Sequence, residues 1–254
     1  MDTRELPLHF KGKEAIDHVI DARIKGRSAS SETHGAELPG HYSAAADAAK
    51  ETTLILMLFW ILFSELNLSS AQIHWISLCF MIGWLFWKVG RSAILGYSRL
   101  ERLHRLIEEE RWEIEHHRPQ EREELKALYA AKGFSGKLLE ESIDILMADD
   151  NRLLQVMLEE ELGLSLESYE HPLKQALGAF CGVLTAGAIL FLSFVFLPWW
   201  GTALTAICLI ALFAGAVAHL EKNRLLHAIV WNIASAALSS ATAWCAAQGF
   251  IILK

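Results

Sequence analysis

Residues 108–125 read EEERWEIEHHRPQEREEL and form the centre of the most acidic block in the chain. This acidic block, residues 98–171, holds 19 Asp and Glu against 10 Lys and Arg, a net charge of −9, whereas the whole chain carries −7. Carboxylates gathered at repeated Glu-x-x-Glu spacing are typical of a site that holds a cation. The block is therefore the first candidate for a functional module.

Stretches on both sides of the acidic block are apolar enough to cross a membrane. With 53% hydrophobic residues, the 254-residue chain is too apolar for an ordinary soluble domain. A helix needs roughly 20 apolar residues to span the hydrocarbon core of a bilayer. The sequence predicts an all-α membrane protein with five transmembrane helices and a cytosolic helical insert between the second and third. The predicted spans are about 48–67, 72–95, 174–197, 200–220 and 227–250.

Basic residues near the ends of these spans predict the orientation, because cytosolic loops carry the excess of Lys and Arg. Basic residues occur before the first span and near the inner ends of the second and fourth, but they are absent from 64–72 and 198–201. No apolar run at the N-terminus reads as a cleavable signal. The predicted regions are a cytosolic N-terminal arm (1–47), transmembrane helices 1 and 2 (48–97), a cytosolic metal-binding module (98–171) and transmembrane helices 3 to 5 (172–254). The short chain and compact loops favour a bacterial cytoplasmic membrane over a vacuole.

The acidic block itself is predicted to be helical. No Gly or Pro occurs from Tyr97 to Arg118, so the second membrane helix is expected to continue through this stretch and to span about 46 residues in all from residue 72. Pro119 ends that helix and suits the first turn of the next one. Glycines mark the later ends, which predicts further helices at about 119–131, 135–147 and 151–162.

Two pairs of glutamates on either side of Pro119 are the first candidate metal ligands. Glu110 and Glu113 are three residues apart, and so are Glu121 and Glu124, so each pair shares one helix face. The joint at Pro119 allows these two faces to fold together. We expect the four carboxylates to line one site.

A third group of candidate ligands lies on the last helix of the block. Met157 and Glu161 are four residues apart, and Glu160 is close to the same face. Carboxylate oxygens with a thioether favour Fe²⁺ or Mn²⁺ over Mg²⁺ or Ca²⁺. The alternative for the glutamates is a solvated face laced with ion pairs such as Glu101–Arg105, and the alternative for Met157 is core packing.

Three stretches of the block resemble the vacuolar iron transporter family: ERWE at 110–113, PQEREEL at 119–125 and MLEEELGL at 157–164. The resemblance extends over about residues 96–250. It implies five membrane helices with a cytosolic insert, a homodimer, and a site that collects cytosolic Fe²⁺ and feeds the membrane path. By this resemblance the site is lined by Glu110, Glu113, Glu121, Glu124, Met157 and Glu161.

The membrane segments depart from the family pattern. The family's first span carries an Asp-Gly important to conduction, whereas the nearest acids here are Asp47 and Glu51. The second span keeps only Gly-Tyr-Ser at 96–98 of the family's signature, with Met81 farther along. Ionisable groups in membrane helices are costly, so Asp47 and Glu51 are candidates for a transport path. Met81, from the second span, is the third candidate. A favourable position at a helix N-terminus is the other explanation for the two acids.

The residues leave three functions to compare. The favoured one is a proton-coupled exporter of Fe²⁺ or Mn²⁺, with the ion as cargo and no tightly bound cofactor. The second is a non-conducting, membrane-anchored metal-sensing or interaction module, because the first two spans diverge. The third, a di-iron oxidase, requires Glu-x-x-His motifs on two separate helices, but beyond the long helix that carries Glu113-x-x-His116 the predicted helices of the block contain none.

The expected partners are therefore the lipid bilayer, divalent metal ions and a second copy of the chain, and the chain is not expected to be an enzyme. Basic residues are too dispersed for nucleic acid binding. No role is assigned to the N-terminal arm, in which His9 and the Glu32-x-His34 pair stand out.

Overall fold

The computed structural model describes residues 15–30, 40–65, 68–164 and 171–252, and His9, Glu32 and His34 lie outside these ranges. Every regular element in the described ranges is a helix, which confirms the all-α prediction there. In chain order the helices are α1 (Ala15–Ser30), α2 (Gly40–Ser64), α3 (Ser70–His116), α4 (Arg118–Ala131), α5 (Gly136–Met147), α6 (Asp150–Glu160), α7 (Pro172–Phe196), α8 (Trp199–Leu220) and α9 (Leu225–Ile252).

The described chain divides into two compact units. The acidic unit contains α1 and residues 98–164, and the membrane unit contains α2, residues 68–97 and α7 to α9. Helix α3 contributes to both, because its 47 residues run without a proline from Ser70 to His116. The predicted continuation of the second span into the acidic block is therefore observed.

Four helices of the described chain are long and apolar enough to cross a membrane: α3, α7, α8 and α9. This finding confirms a membrane protein but does not establish the predicted count of five spans. Helix α2 carries the charged residues Asp47, Lys50 and Glu51. Its uncharged C-terminal part, residues 52–64, is shorter than a typical membrane span. Helix α2 nevertheless packs against α7, α8 and α9 within the membrane unit. Whether α2 is the fifth span stays a prediction.

Close backbone contact fixes α2 against α7. A Cβ on Gly178 would collide with the carbonyl oxygen of His41, and a Cβ on Gly182 would collide with that of Ala45. Both pairs are four residues apart, so one face of each helix is in contact over a full turn. Small residues at such positions are typical of packed membrane helices.

The acidic unit is built around an apolar core to which all of its helices contribute. Leu103 and Ile114 of α3, Leu125 of α4, Ile143 of α5 and Leu153 of α6 are buried together. Helix α4 begins with a proline in its first turn, as predicted. Glycines with positive φ at 133 and 163 follow α4 and α6, so both helices end within two residues of the predicted positions.

Candidate metal centre

Four glutamates of the acidic unit lie buried together, and we call them the carboxylate cluster. Glu110 is on α3, Glu121 and Glu124 are on α4, and Glu161 directly follows α6. At most 4% of any of these residues is exposed to solvent. Carboxylate oxygens of Glu110, Glu121 and Glu161 lie within 4.8 Å of one another.

The cluster is buried because its members occupy core-facing positions of amphipathic helices. On α3, Glu110 lies seven residues after Leu103 and four before Ile114, and both of these are buried. On α4, Glu121 lies four residues before the fully buried Leu125. Side chains at these spacings point from the same face of a helix. Carboxylates therefore occupy positions where packing alone favours apolar residues.

Burial and mutual repulsion change the acidity of the cluster. Burial, and then the charges of Glu113 and Glu124, raise the pKa of Glu110 to about 8, although Lys25 of α1 acts in the opposite direction. Burial, and then the charge of Glu110, raise the pKa of Glu121 to about 10. Glu110 and Glu121 therefore hold protons at neutral pH when no cation is bound, because burial disfavours the charged form.

The pKa of Glu161 changes in the same direction. Burial is the first cause that raises it well above its usual range, and the charge of Glu110 is the second. A hydrogen bond joins Glu161 to Glu124. Glu110 differs, because its Oε1 is buried without a hydrogen-bond partner in the described part of the chain. A buried polar atom of this kind is costly, so it indicates a ligand.

The other predicted ligands of the acidic block lie close to the cluster or face away from it. Glu113 is half-buried, and its charge raises the pKa values of Glu110 and Glu121. Met157 is fully buried in the apolar core. Glu160 forms an ion pair with Lys132 and is about one-third exposed at its side chain. The structure therefore brings Glu161, and not Glu160, into the carboxylate cluster.

Other acids of the block lie on a solvated face, as the alternative interpretation describes. Arg122 of α4 lies 3.1 Å from a carboxylate oxygen of Glu140 and 2.6 Å from one of Asp144. Lys126 also pairs with Glu140. These exposed partners contribute little stability each, because water competes for both charges. The carboxylate cluster differs from them in burial.

A histidine that was not among the predicted ligands lies beside the cluster. Nδ1 of His18 on α1 lies 3.1 Å from Oε1 of Glu124 and 3.8 Å from Oε1 of Glu161. These three residues form a second group with the spacing of metal ligands, and Glu161 belongs to both groups. The sequence contains only a weak indication that α1 packs here, which is the narrow apolar face formed by Val19 and Ala22. Both residues are buried in the structure.

The membrane unit places Asp47 and Glu51 beside lysines. Oδ1 of Asp47 lies 2.9 Å from Nζ of Lys50, and Nζ of Lys88 on α3 donates a 2.7 Å hydrogen bond to Glu51. Helix α2 begins at Gly40, so neither acid lies in its first turn. A favourable position at the helix N-terminus therefore does not explain them. Among the described residues, neither acid belongs to a group of three metal-ligating side chains.

Met81 lies on the part of α3 that belongs to the membrane unit. It packs against Gly187 of α7, where a Cβ would come within 2.7 Å of the Met81 sulfur. Nearby, Nε1 of Trp84 donates a 3.0 Å hydrogen bond to Oγ1 of the buried Thr52. Met81 therefore takes part in a packed contact between α3 and α7.

Comparison with known proteins gives one family. The family model described as the VIT family matches residues 97–249. The matched range includes all four members of the carboxylate cluster and excludes α1 and α2. No curated protein matches the chain.

Proposed function

Because the chain belongs to the VIT family, the vacuolar iron transporters, we propose that it exports Fe²⁺ or Mn²⁺ from the cytosol in exchange for protons. Membership of this family identifies a membrane protein of metal-ion transport. Four buried carboxylates from three parts of the acidic unit converge, and this is the main observation that supports export of Fe²⁺ or Mn²⁺ in exchange for protons.

The ligand chemistry supports a divalent transition ion as cargo. Several carboxylates buried together are unstable as anions unless protons or a cation balance their charge. Glu110 offers an oxygen with no other hydrogen-bond partner among the described residues. Oxygen ligands suit Mn²⁺ and Fe²⁺, and the thioether of the buried Met157 is the soft ligand that the sequence suggested.

Proton exchange is supported by the raised pKa values of the cluster. At neutral pH the metal-free oxygens of Glu110 and Glu121 hold protons, because their pKa values are raised to about 8 and about 10. An arriving cation displaces those protons, because a metal ligand must be deprotonated. The same oxygens therefore bind either protons or the metal ion, and an antiporter requires such competition.

In this proposal the acidic unit faces the cytosol and delivers its ion to a path through the membrane. The path is formed by five spans, which are the four apolar helices and, in addition, α2. Asp47, Glu51 and Met81 are the candidate path residues. The packing of α2 against α7, α8 and α9 supports a membrane position for it. We propose a homodimer in a bacterial cytoplasmic membrane, and the exposed apolar surface of α9 offers area to lipid or to a second copy.

The second candidate function is a non-conducting metal sensor anchored in the membrane. Its support is that Asp47 and Glu51 each have a lysine partner, so positive charge already occupies the place where a cation would pass. Such a protein would bind metal on the acidic unit without moving it across the bilayer.

Proteoliposomes distinguish these two functions. Vesicles that contain the full-length protein are given Fe²⁺ or Mn²⁺ outside and a pH gradient, and the metal and pH inside are followed with indicators. We expect metal flux coupled to proton flux, strong loss in Glu110→Ala and Glu121→Ala, and none in Glu159→Ala, whose side chain is exposed. Metal binding without flux would favour the sensor, and equal flux in all variants would refute the proposed site.

A further inference from the structure

We propose that His18 of α1 is a nitrogen ligand of the ion held by the carboxylate cluster, so that the site combines imidazole with carboxylates. This inference rests on the proposed metal binding at the same cluster. It adds a residue that lies 79 positions before the start of the family match at residue 97. Helix α1 thereby becomes part of the binding site, although sequence analysis assigned no role to the N-terminal arm.

Helix α1 is fixed to the acidic unit on both sides of Glu161. The Arg23 side chain donates a hydrogen bond to the backbone carbonyl of Glu160, the last residue of α6. Carbonyls at the end of a helix lack partners within it and carry partial negative charge, so a guanidinium is favoured there. Gly26 lies against the next part of the chain, because a Cβ on it would collide with the carbonyl oxygen of Leu162.

These contacts place His18 by specific packing. Val19 and Ala22, on the same helix, are buried in the acidic unit. Arg23 and Gly26 contact the backbone one residue before and one residue after Glu161. A helix held in this way carries His18 to the cluster as a fixed group, as a metal ligand requires.

The distances suit a shared ion. For ligand atoms about 2.1 Å from one metal, separations of 3.1 Å and 3.8 Å correspond to angles of roughly 95° and 130° at the ion. Octahedral and tetrahedral sites have angles in or near this interval. Glu161 also belongs to the group with Glu110 and Glu121, and Oε1 of Glu110 is buried without a hydrogen-bond partner among the described residues. The ion would therefore meet His18 and the cluster together.

Nitrogen changes which ion the site prefers. Carboxylate oxygens alone suit Mg²⁺ and Ca²⁺ as well as Mn²⁺, whereas imidazole suits Fe²⁺, Co²⁺, Ni²⁺ and Zn²⁺. One imidazole in the site thus discriminates against Mg²⁺. The competing explanation is that His18 is only an ion-pair partner of Glu124, and a direct test must separate the two roles.

Pulsed electron paramagnetic resonance provides that test. Full-length protein in detergent is loaded with one equivalent of Mn²⁺, and modulation from directly bound ¹⁴N is recorded. We expect modulation in wild type, its loss in His18→Ala, and its retention in His104→Ala, which removes an exposed histidine of α3. Absence of ¹⁴N modulation in metal-loaded wild type would overturn the inference, and that measurement needs no folded variant.

Affinity provides a second readout with a different control. We expect His18→Ala, or His18→Gln if the alanine variant does not fold, to weaken Co²⁺ binding by about tenfold or more and to leave Mg²⁺ binding unchanged. Equal Co²⁺ affinity in the His18 and His104 variants would refute the role of His18. Glu121→Gln shows whether such a result concerns His18 alone or the proposed function. If Glu121→Gln weakens Co²⁺ binding and the His18 variants do not, only the role of His18 is refuted. If neither weakens it, the cluster is not the metal site.

Discussion

Glu121 and Leu125 lie one turn apart on α4, and both are completely buried. A carboxylate and a leucine thus share one core-facing stripe, although only the leucine gains stability from burial there. Packing therefore does not explain the position of Glu121, whereas the proposed ion binding does. Natural proteins accept such local instability at functional sites.

Replacement of Glu121 by leucine is expected to stabilise the metal-free protein and to abolish its response to metal. Removal of a buried carboxyl group should raise the free energy of unfolding by about 1 kcal/mol, which corresponds to a rise of roughly 2–4 °C in Tm. Wild type should gain Tm on addition of Mn²⁺, because a ligand stabilises the state that binds it. Thermal unfolding of both proteins, with and without Mn²⁺, measures the two effects. A metal-dependent rise in the variant equal to that of wild type would contradict the assignment.

Metal affinity should increase with pH. The pKa of Glu110 is about 8 and that of Glu121 is about 10, so at pH 6 both groups carry protons that the metal must displace. Below pH 8 the affinity for Mn²⁺ should rise by about tenfold per pH unit for each displaced proton. Calorimetry in buffers of different ionisation enthalpy counts these protons. The exposed Glu159→Gln variant should keep the slope, and a flat profile in wild type would exclude proton displacement.

The stability of the metal-free acidic unit should decrease as pH rises. Glu110 has a folded-state pKa of about 8 against an ordinary value of 4.5, so the folded state binds more protons between these values. Its contribution is fully present below pH 4.5 and is lost as pH approaches and passes 8. Thermal unfolding in the presence of a chelator should give a Tm that falls over this interval. Glu110→Gln should make the profile less steep but not flat, because Glu121 still contributes, and an unchanged slope in that variant would exclude Glu110 as a cause.

The pair formed by Glu51 and Lys88 separates transport from stability. Glu51→Ala should reduce metal flux, and it should also lower Tm, because it leaves the largely buried Lys88 without its carboxylate. Glu51→Ala with Lys88→Ala removes both charges, so it should recover much of the Tm but not the flux. Flux in the double variant equal to that of wild type would remove Glu51 from the transport path.

The sequence predicted the helices of the acidic unit because their ends are marked locally. Pro119, Gly133 and Gly163 act through backbone geometry, which needs no knowledge of tertiary contacts. The convergence of Glu110 with Glu121 followed from spacing on two helices joined at a proline. Local rules were sufficient for this part of the fold and of the site.

Residues that depend on long-range contacts were not predictable in the same way. His18 lies more than 100 positions before Glu124 and Glu161, and the apolar face of α1 is too narrow to indicate where the helix packs. Which of Glu160 and Glu161 joins the cluster goes with the ion pair between Glu160 and Lys132, a residue that directly follows α4. Neither fact is contained in a local pattern.

The close approach of Gly26 to Leu162 also bears on how ion preference diverges among relatives. A single added methyl group at position 26 would force α1 away from the residues that follow α6 and move His18 away from the cluster. If His18 binds the ion as proposed, one codon substitution would remove the nitrogen ligand. Homologues with a bulkier residue there are then expected to discriminate less against Mg²⁺.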